Sequence, residues 1–192
     1  MGRGRLAGTL ERSKPHDRIR FTLLSRAASP AFGMSPSLNP DDFRDACAQF
    51  ANGVAVATVT APDGSPHGLT VSSFVSVSIH PPLVLICIDY SCTILTHFRA
   101  SPFFAINVLS DGQRDLSVNF ATKTASRFDG IEWLRGMAGS PLLHDCLARF
   151  QCRVNQIVEA GDHAILIGDV LDVKAFPGEP LLYFNRSYRT LL

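Results

Sequence analysis

Two long segments in which apolar and polar residues alternate, joined by one short turn, constrain the fold of this chain more than any other feature. They are Cys146 to Val158 and His163 to Phe176, with Glu159-Ala-Gly-Asp162 between them. Alternation with a period of two is typical of a strand that buries one face. Because the connecting turn is short and contains glycine, the two strands are predicted to pair antiparallel. We therefore expect a long hairpin in the second half of the chain.

Shorter strand patterns precede this hairpin. Val54 to Thr60 is rich in β-branched residues, and the turn Pro62-Asp63-Gly64-Ser65 predicts a hairpin to a strand that starts at His67. Three further strands are predicted. Val75 to Ile79 alternates and so has one buried face, Leu83 to Asp89 is a continuous apolar segment, and Phe103 to Leu109 is a second apolar run. The total is about six or seven strands, and the continuous apolar segment is expected to be an inner strand.

Three short helices are predicted around these strands. The first has Asn39 as N-cap and Pro40 at its first position, and it is expected to end near Asn52-Gly53. Its apolar stripe should pack against the core and consists of Phe43, Ala46, Cys47 and Phe50. The other two helices are Thr93 to Ala100 and Asp111 to Ala121. Many strands with few helices favour an antiparallel β-barrel with the helices packed outside, since the alternation is too irregular for a doubly wound sheet.

Composition narrows the class of protein. A chain of 192 residues with 46% apolar residues is expected to bury one sizeable core. Its net charge of +1 provides no basic field for nucleic acid, and no apolar run approaches the roughly 20 residues of a membrane span. The five cysteines include no Cys-x-x-Cys pair, so we expect reduced, mostly buried thiols in the cytoplasm and neither a disulfide scaffold nor a zinc site.

The charge is unevenly distributed along the chain. Residues 1–34 carry seven Lys+Arg and two Asp+Glu, a net +5, while residues 35–192 carry eleven and fifteen, a net −4. The organised pattern begins just after Met34, so we interpret 35–192 as one domain and 1–34 as a basic extension. Three explanations of the extension stay open: a transit peptide, a flexible arm, or a reading frame that extends upstream of a natural start at Met34.

The densest group of small polar residues is Gly68-Leu-Thr-Val-Ser-Ser-Phe74, between two predicted strands. Its glycine allows close approach of the backbone to a flat or anionic ligand, and its hydroxyl groups supply donors that can rotate. The alternative is an exposed strand or turn that happens to be rich in serine and threonine. A second candidate is Ser91-Cys-Thr93, which precedes a predicted helix and has free amides suited to a phosphate. Helix capping alone is the alternative there.

His163 follows Gly161-Asp162 at the predicted start of a strand. An imidazole in that place is suited to contact a ligand or to transfer a proton near neutral pH, although a surface histidine without a partner is the alternative. His67, His80, His97 and His144 have no metal-like spacing. The sequence also lacks the glycine-rich nucleotide motifs and the Gly-x-Ser-x-Gly elbow of many hydrolases.

Taken together, these segments resemble the flavin reductase family, the short-chain FMN-binding split-barrel reductases that serve two-component monooxygenases. The resemblance runs in order from about Phe43 to Tyr188 and leaves residues 1–40 outside it. It is carried by ten motifs, which are Phe50-Ala-Asn-Gly-Val54, Gly68-Leu-Thr-Val-Ser-Ser-Phe74, Ser76-Val-Ser-Ile-His-Pro-Pro-Leu83, Ser91-Cys-Thr93, Phe104-Ala-Ile-Asn-Val-Leu109, Phe120-Ala121, Arg127-Phe-Asp-Gly130, Gly161-Asp-His163, Gly168-Asp-Val170 and Pro180-Leu-Leu-Tyr183.

The resemblance implies an antiparallel split β-barrel that forms a homodimer and binds FMN or FAD near the subunit interface. It implies that the flavin lies along Thr70, Val71, Ser72 and Ser73, that Ser91 and Thr93 face its phosphate, and that His163 acts on the nicotinamide side. Asn52 and Gly53 are carried over as further cofactor-binding residues. The implied activity is hydride transfer from NADH or NADPH to the flavin, which then reaches a partner monooxygenase.

Two other functions remain open. A split barrel that binds flavin or haem without turnover, as a carrier or sensor, shares all the hydroxyl motifs, and only turnover separates it from a reductase. A purely structural dimeric barrel leaves the ordered motifs unexplained. The motifs at Gly161-Asp-His163 and Arg127-Phe-Asp-Gly130 favour the reductase.

Overall fold

A computed structural model of the chain describes residues 38–122 and 127–191, so the basic extension at 1–34 lies outside the described residues. The helices are α1 (Pro40–Ala48), α2 (Leu95–Ala100) and α3 (Arg114–Ala121). The strands are β1 (Asn52–Gly53), β2 (Ala55–Thr60), β3 (Pro66–Val71), β4 (Val75–Ile79), β5 (Pro82–Asp89), β6 (Phe103–Val108), β7 (Trp133–Arg135), β8 (Pro141–Leu143), β9 (Ala148–Ala160), β10 (His163–Ala175), β11 (Leu182–Phe184) and β12 (Ser187–Arg189). Short 3₁₀ turns occupy Asp111–Gln113 and Met137–Gly139.

A seven-stranded antiparallel sheet in the order β3-β2-β6-β9-β10-β5-β4 dominates the fold. The predicted long hairpin is confirmed, because β9 and β10 pair from His163 opposite Ala160 to Ala175 opposite Ala148. Gly161 in their turn has φ of +61°, a left-handed conformation that glycine adopts without strain. The predicted hairpin of β2 and β3 is also present.

The two end strands of the sheet, β3 and β4, are consecutive in the sequence. The chain passes from one to the other through residues 72–74 and does not pair them as a hairpin. An antiparallel sheet that keeps two separate ends is compatible with a split barrel. The predicted class, antiparallel β with a few short helices, is confirmed, and β5 is an inner strand as expected.

Strand β2 is buried on both faces and lies between two groups of apolar side chains. Ala57 and Val59 belong to the larger group, together with Phe98 of α2 and Phe104 of β6. Val54 and Val56 belong to a smaller group, whose other members are Leu109, Phe120, Leu143, Cys146 and Leu181. Helix α3 therefore packs over the side of the sheet that carries β2 and β3.

Two predictions about burial are wrong. Helix α1 ends at Ala48 and buries no residue, and its Phe43 and Phe50 are 57% and 73% exposed. Its described contacts are polar, since Arg186 pairs with Asp45, so its apolar stripe has no core beneath it. Strand β4 was expected to bury one face. It is instead an end strand of the sheet that pairs only with β5, and Ile79 is 79% exposed.

None of the helices in the described ranges has the length and apolar character needed to cross a lipid bilayer.

Candidate functional site

A cleft of about 250 Å³ opens along the free edge of β3, where that strand approaches the ends of β5 and β10. The residues that line it are Leu69, Thr70, Val71, Ser72, Ser73, Cys87, Asp89, Cys92 and His163. Strand β3 bonds to β2 along one side only, so alternate peptide groups on its other side point toward the cleft. Five of the nine predicted site residues thus line one cavity: Thr70, Val71, Ser72, Ser73 and His163.

Two of the three hydroxyl groups in this segment already have protein partners. The Thr70 hydroxyl donates to the carbonyl oxygen of Ser117 at 2.7 Å and so ties β3 to α3. The Ser73 hydroxyl accepts from the N–H of Cys87 at 2.9 Å and donates to the carbonyl oxygen of Cys87 at 3.2 Å. Ser72 is exposed and bonds to none of the described residues. Ser72 is therefore the hydroxyl of this segment that remains available to a ligand.

A second cavity, of about 490 Å³, adjoins the first at Cys92. It is lined by Tyr90, Ser91, Cys92, Thr93, Leu95, Thr96, Arg99 and Glu159. Asp89 shapes the turn between the two cavities, because its carboxylate accepts the Ser91 N–H at 2.6 Å and its carbonyl oxygen accepts the Cys92 N–H at 3.0 Å. Together the two cavities reach the size of about 300–1,000 Å³ that is typical of ligand sites.

Two expectations for Ser91 and Thr93 are wrong: neither caps α2, and the amides of Ser91 and Cys92, which were expected to be free, are bonded to Asp89. The helix begins at Leu95, and its N-cap residue is Ile94, which makes no side-chain cap. The turn that Asp89 holds displaces the helix start by two residues, so the two hydroxyl groups face the second cavity instead. Neither hydroxyl bonds to another described residue, which leaves both free to bind a ligand.

Three of the side chains that line the second cavity, those of Tyr90, Arg99 and Glu159, are bonded to one another. Arg99 donates to Glu159 at 2.7 Å, and the Tyr90 hydroxyl donates to the other oxygen of the same carboxylate. The Glu159 hydrogen bond raises the pKa of Tyr90 above its ordinary value, because it stabilises the protonated phenol. The charges of Arg99 and Glu159 cancel, so this group carries no net charge.

His163 is the first residue of β10 and lies opposite Asp89 of β5. Its Nδ1 is 2.7 Å from the carboxylate of Asp162, and this hydrogen bond is the main reason that the pKa of Asp162 lies below its ordinary value. The N–H of Tyr90 donates to the carbonyl oxygen of Asp162 and ties the turn to β5. When Nδ1 carries the proton and donates to Asp162, Nε2 is left to interact with a ligand in the cleft.

Asn52 and Gly53 do not line either cavity. They form β1 and pair with Tyr183 and Leu182 of β11, and the Asn52 amide donates to the carbonyl oxygen of Phe50. A third cavity, of about 180 Å³, begins at the next residue, Val54, and meets the first at Thr70 and Ser72. Asn52 and Gly53 are thus neighbours of this extension and not of the cleft itself.

Three residues that line these cavities were not predicted from the sequence: Asp89, Tyr183 and Tyr188. Asp89 carried a signal, since a carboxylate two residues before Ser91 is the pattern of an Asx-turn. Tyr183 and Tyr188, which line the third cavity, carried none, because their placement depends on the pairing of β11 with β12.

The thiols divide into two groups. Burial raises the pKa of Cys146 to about 11 and that of Cys152 to about 12, so both are unreactive at neutral pH. Cys47 is exposed, and Cys87 and Cys92 are partly buried, so only two of the five thiols are buried as expected. In the described ranges no three His, Cys, Asp or Glu side chains are arranged to hold a metal ion.

Residues 47–192 match the profile of the family described as flavin reductase like domain. Two proteins of Rhizobium meliloti (strain 1021) are similar in sequence. A "Probable flavin reductase" is 43% identical over 69% of this chain and 42% of its own length. The stachydrine N-demethylase reductase subunit Stc3 is 37% identical over 78% of this chain and 65% of its own. The chain thus spans less than two thirds of these relatives.

Among solved structures, the NADH:FAD oxidoreductase SgcE6 of Streptomyces globisporus C-1027, in complex with NAD and FAD fragments, has a TM-score of 0.76 to this chain. It is 33% identical, and the match covers 82% of this chain and 98% of that one. Because the family profile spans most of the sequence, the chain belongs to the flavin reductase like domain family.

Proposed function

We propose that this protein is an NAD(P)H:flavin oxidoreductase that transfers hydride from NADH or NADPH to FMN or FAD. The observation that carries the proposal is the convergence of three separate segments on two adjoining cavities: the free edge of β3, the turn at Ser91 to Thr93, and His163. Membership of the flavin reductase like domain family supports the same activity.

The residues fit a flavin in shape and in chemistry. The edge of β3 from Thr70 to Ser73 offers peptide groups and the Ser72 hydroxyl to the polar rim of a flat ring. The free hydroxyl groups of Ser91 and Thr93 face the adjoining cavity, where they are suited to the flavin phosphate. Asn52 and Gly53 line neither cavity, so in this proposal they affect the site only by positioning Val54, which lines the third cavity.

A bound flavin supplies the hydride acceptor, and the protein supplies orientation and electrostatics. We assign to His163 the task of orienting the nicotinamide carboxamide or of offsetting the negative charge that develops on the reduced ring. Asp162 holds the imidazole by its hydrogen bond to Nδ1, which leaves Nε2 available at a residue that lines the cleft. Either role is stronger in the transition state than in the ground state, so it would raise kcat.

The partner in this proposal is an oxygenase that receives the reduced flavin. Support comes from the relative Stc3, which is named as the reductase subunit of a demethylase. A homodimer is part of the same proposal, because β4 leaves Val75 and Ile79 at 50% and 79% exposure on a free sheet edge that a second copy would cover. The five free thiols support a reducing, cytoplasmic location.

A reductase oxidises NADH or NADPH, whereas a carrier or sensor only binds its ligand, so a turnover assay distinguishes the two functions. Oxidation of NADH and NADPH should be followed by absorbance with and without added FMN, FAD or riboflavin. We expect oxidation only when flavin is present. Flavin binding without oxidation of either nicotinamide would contradict the reductase and leave the carrier. Sedimentation of the protein, with Ile79→Lys as a variant that should dissociate it, tests the homodimer.

A further inference from the structure

A larger cavity adjoins the third one at Tyr188. Its volume is about 550 Å³, and its lining residues are Asp111, Arg114, Leu181, Tyr188, Arg189 and Thr190. Tyr188 stands between this cavity and the third one and lines both. The third cavity in turn meets the cleft at Thr70 and Ser72. The three cavities therefore adjoin one another in series, and we call this series, from the edge of β3 to Arg114 and Arg189, the groove.

The two arginines in this cavity have no acidic partner among the described residues. The guanidinium group of Arg114 lies over the ring of Tyr188, 5.6 Å from its centre. The backbone of Arg189 pairs with Leu182, but its side chain makes no hydrogen bond or ion pair in the described ranges. Three other surface arginines are paired, since Arg44 binds Asp41, Arg153 binds Asp169 and Arg186 binds Asp45. The side chain of the exposed Arg135 also has no partner among the described residues, but it lines none of the cavities described above. Two unpaired guanidinium groups that line one cavity are suited to bind phosphate groups.

The backbone amides next to this cavity are not available to bind a phosphate group, which leaves the two arginines as its donors. The backbone amides at the adjacent 3₁₀ turn are already bonded, because Asp111 N–H donates to Glu179, Gly112 N–H to the Asp111 carboxylate, and Gln113 N–H to Ser110. Asp111 contributes one negative charge to the lining, so the cavity has a net charge of about +1. By comparison, Arg99 and Glu159 cancel in the cavity beside Ser91, and the cleft itself contains the carboxylate of Asp89.

Tyr188 gives the groove an aromatic surface between its two halves. Its hydroxyl is hydrogen-bonded to Ser117 at 2.9 Å, and its ring meets Tyr183 edge-on with centres 5.3 Å apart. These contacts fix the ring, so a ligand that lies along it loses little side-chain entropy on the protein. Cations next to an immobile aromatic ring are the features that bind a nucleotide.

We propose that Arg114, Arg189 and Tyr188 bind the adenosine diphosphate half of NADH or NADPH, while the nicotinamide half reaches the cleft through the third cavity. The inference rests on the proposed reductase function and adds a separate subsite to it. FAD contains the same adenosine diphosphate group, but in the proposed function its phosphate starts at Ser91 and Thr93. These residues line the cavity that adjoins the cleft at Cys92, whereas the third cavity adjoins it at Thr70 and Ser72. The subsite is therefore assigned to the nicotinamide dinucleotide.

The test compares two hydride donors in the Arg114→Gln/Arg189→Gln protein. NADH carries the adenylate group, and reduced nicotinamide mononucleotide lacks it but has the same reactive ring. We expect kcat/KM to fall at least tenfold with NADH and to change less than twofold with the mononucleotide. Equal changes with the two donors, or no change with either, would overturn the assignment. The KM for NADH should also rise with salt in the unaltered protein and become less sensitive to salt in the variant.

Binding measurements distinguish failure of the subsite from failure of the proposed activity. ADP alone, titrated by calorimetry, should bind the unaltered protein and lose at least tenfold in affinity in the variant, whether or not the protein turns over NADH. The affinities of FMN and FAD should stay equal to those of the unaltered protein. A loss for FAD without a loss for FMN would assign the arginines to the flavin adenylate and contradict the proposal.

Two further variants control for charge and folding. Arg44→Gln/Arg135→Gln removes two exposed positive charges outside the groove and should leave the kinetics with NADH and the binding of ADP unchanged. Arg114→Lys/Arg189→Lys keeps the charges and should retain more ADP affinity than the glutamine variant does. If both double variants at 114 and 189 lose FMN binding and unfold at lower denaturant, the arginines are structural and the proposal is wrong.

Discussion

The hydroxyl of Ser73 bonds to both backbone groups of Cys87, accepting its N–H at 2.9 Å and donating to its carbonyl oxygen at 3.2 Å. Strand β4 pairs with β5 from Val75 opposite Leu85, and Ser73 would stand opposite Cys87 if that register continued. The side chain therefore satisfies the two groups that a longer β4 would satisfy with its backbone. It also ties the segment that follows β3 to β5 at the cleft, which Ser73 and Cys87 both line.

We expect Ser73→Ala to destabilise the protein by about 1–3 kcal/mol, because both Cys87 groups lose their partner where solvent access is limited. Denaturant unfolding measures the change. Ser72→Ala is the matched control, since the Ser72 hydroxyl is exposed and makes no described contact, and its effect on stability should stay within about 0.5 kcal/mol. Equal destabilisation by the two variants would contradict the role given to Ser73.

Thr93→Ala is expected to weaken FMN binding more than riboflavin binding, because only FMN carries a phosphate. Loss of a hydrogen bond to a charged group costs about 1.5–3 kcal/mol, so the affinity for FMN should fall roughly ten- to a hundredfold. The helix should be unaffected, since the N-cap of α2 is Ile94 and Thr93 contributes only its carbonyl oxygen, to Thr96. Fluorescence titration with both flavins measures the difference, and equal losses would reject the phosphate role.

His163→Ala should lower kcat/KM for the nicotinamide by more than tenfold, equivalent to roughly 1.4 kcal/mol, while it changes FMN affinity much less. The reason is that His163 lines the cleft from the end of β10, with its orientation fixed by Asp162. His144 is exposed and has no described side-chain contact, so His144→Ala is the control and should behave as the unaltered protein does. A matching loss of FMN affinity in His163→Ala would make His163 a flavin ligand instead.

The stability of the protein should decrease as the pH falls below about 6.5. The ring of His67 stacks on His97 with centres 3.9 Å apart. The pKa of His67 lies below its ordinary value, chiefly because burial disfavours the charged ring; His97 and Arg127 add to this, and Asp63 opposes it. The unfolded chain therefore takes up this proton at a higher pH than the folded chain does, so protons favour unfolding in that range.

The measurement is urea unfolding at pH 7.5 and at pH 5.5. His67→Gln removes the titrating group and retains a side chain that can bond to Ser65, which His67 contacts at 2.9 Å. We expect the difference in unfolding free energy between the two pH values to be smaller in this variant. An equal pH dependence in both proteins would show that other groups control it.

Much of the sheet could be predicted because its signals are local. The β9–β10 hairpin follows from alternation on both sides of a glycine turn, and the β2–β3 hairpin from a turn-forming sequence between β-branched residues. The burial of α1 and β4 could not be predicted in the same way. An apolar stripe shows that a surface is suited to burial, but the partner that covers it comes from elsewhere in the fold or from another molecule.

Part of the site could also be predicted, because some of its signals are local in the sequence. Thr70 to Ser73, Ser91, Thr93 and His163 are recognisable as short motifs, and the structure brings them to adjoining cavities. The individual tasks of the hydroxyl groups were not predictable, since Thr70 and Ser73 bond to residues 47 and 14 positions away along the chain. Asn52 and Gly53 belong to one of the motifs on which the predicted resemblance rests, but they pair with β11, so their place in that motif did not reveal their contacts.

The free edge of β3 also affects how the binding cleft tolerates mutation. Because the cleft is lined there by peptide groups, much of what a ligand contacts is the same for every amino acid except proline. Substitutions at Val71, whose side chain points into the core, would alter packing and leave those contacts in place. Ligand selectivity can then change during evolution through a few exposed side chains, such as those of Ser72 and Thr93, without loss of the ability to bind.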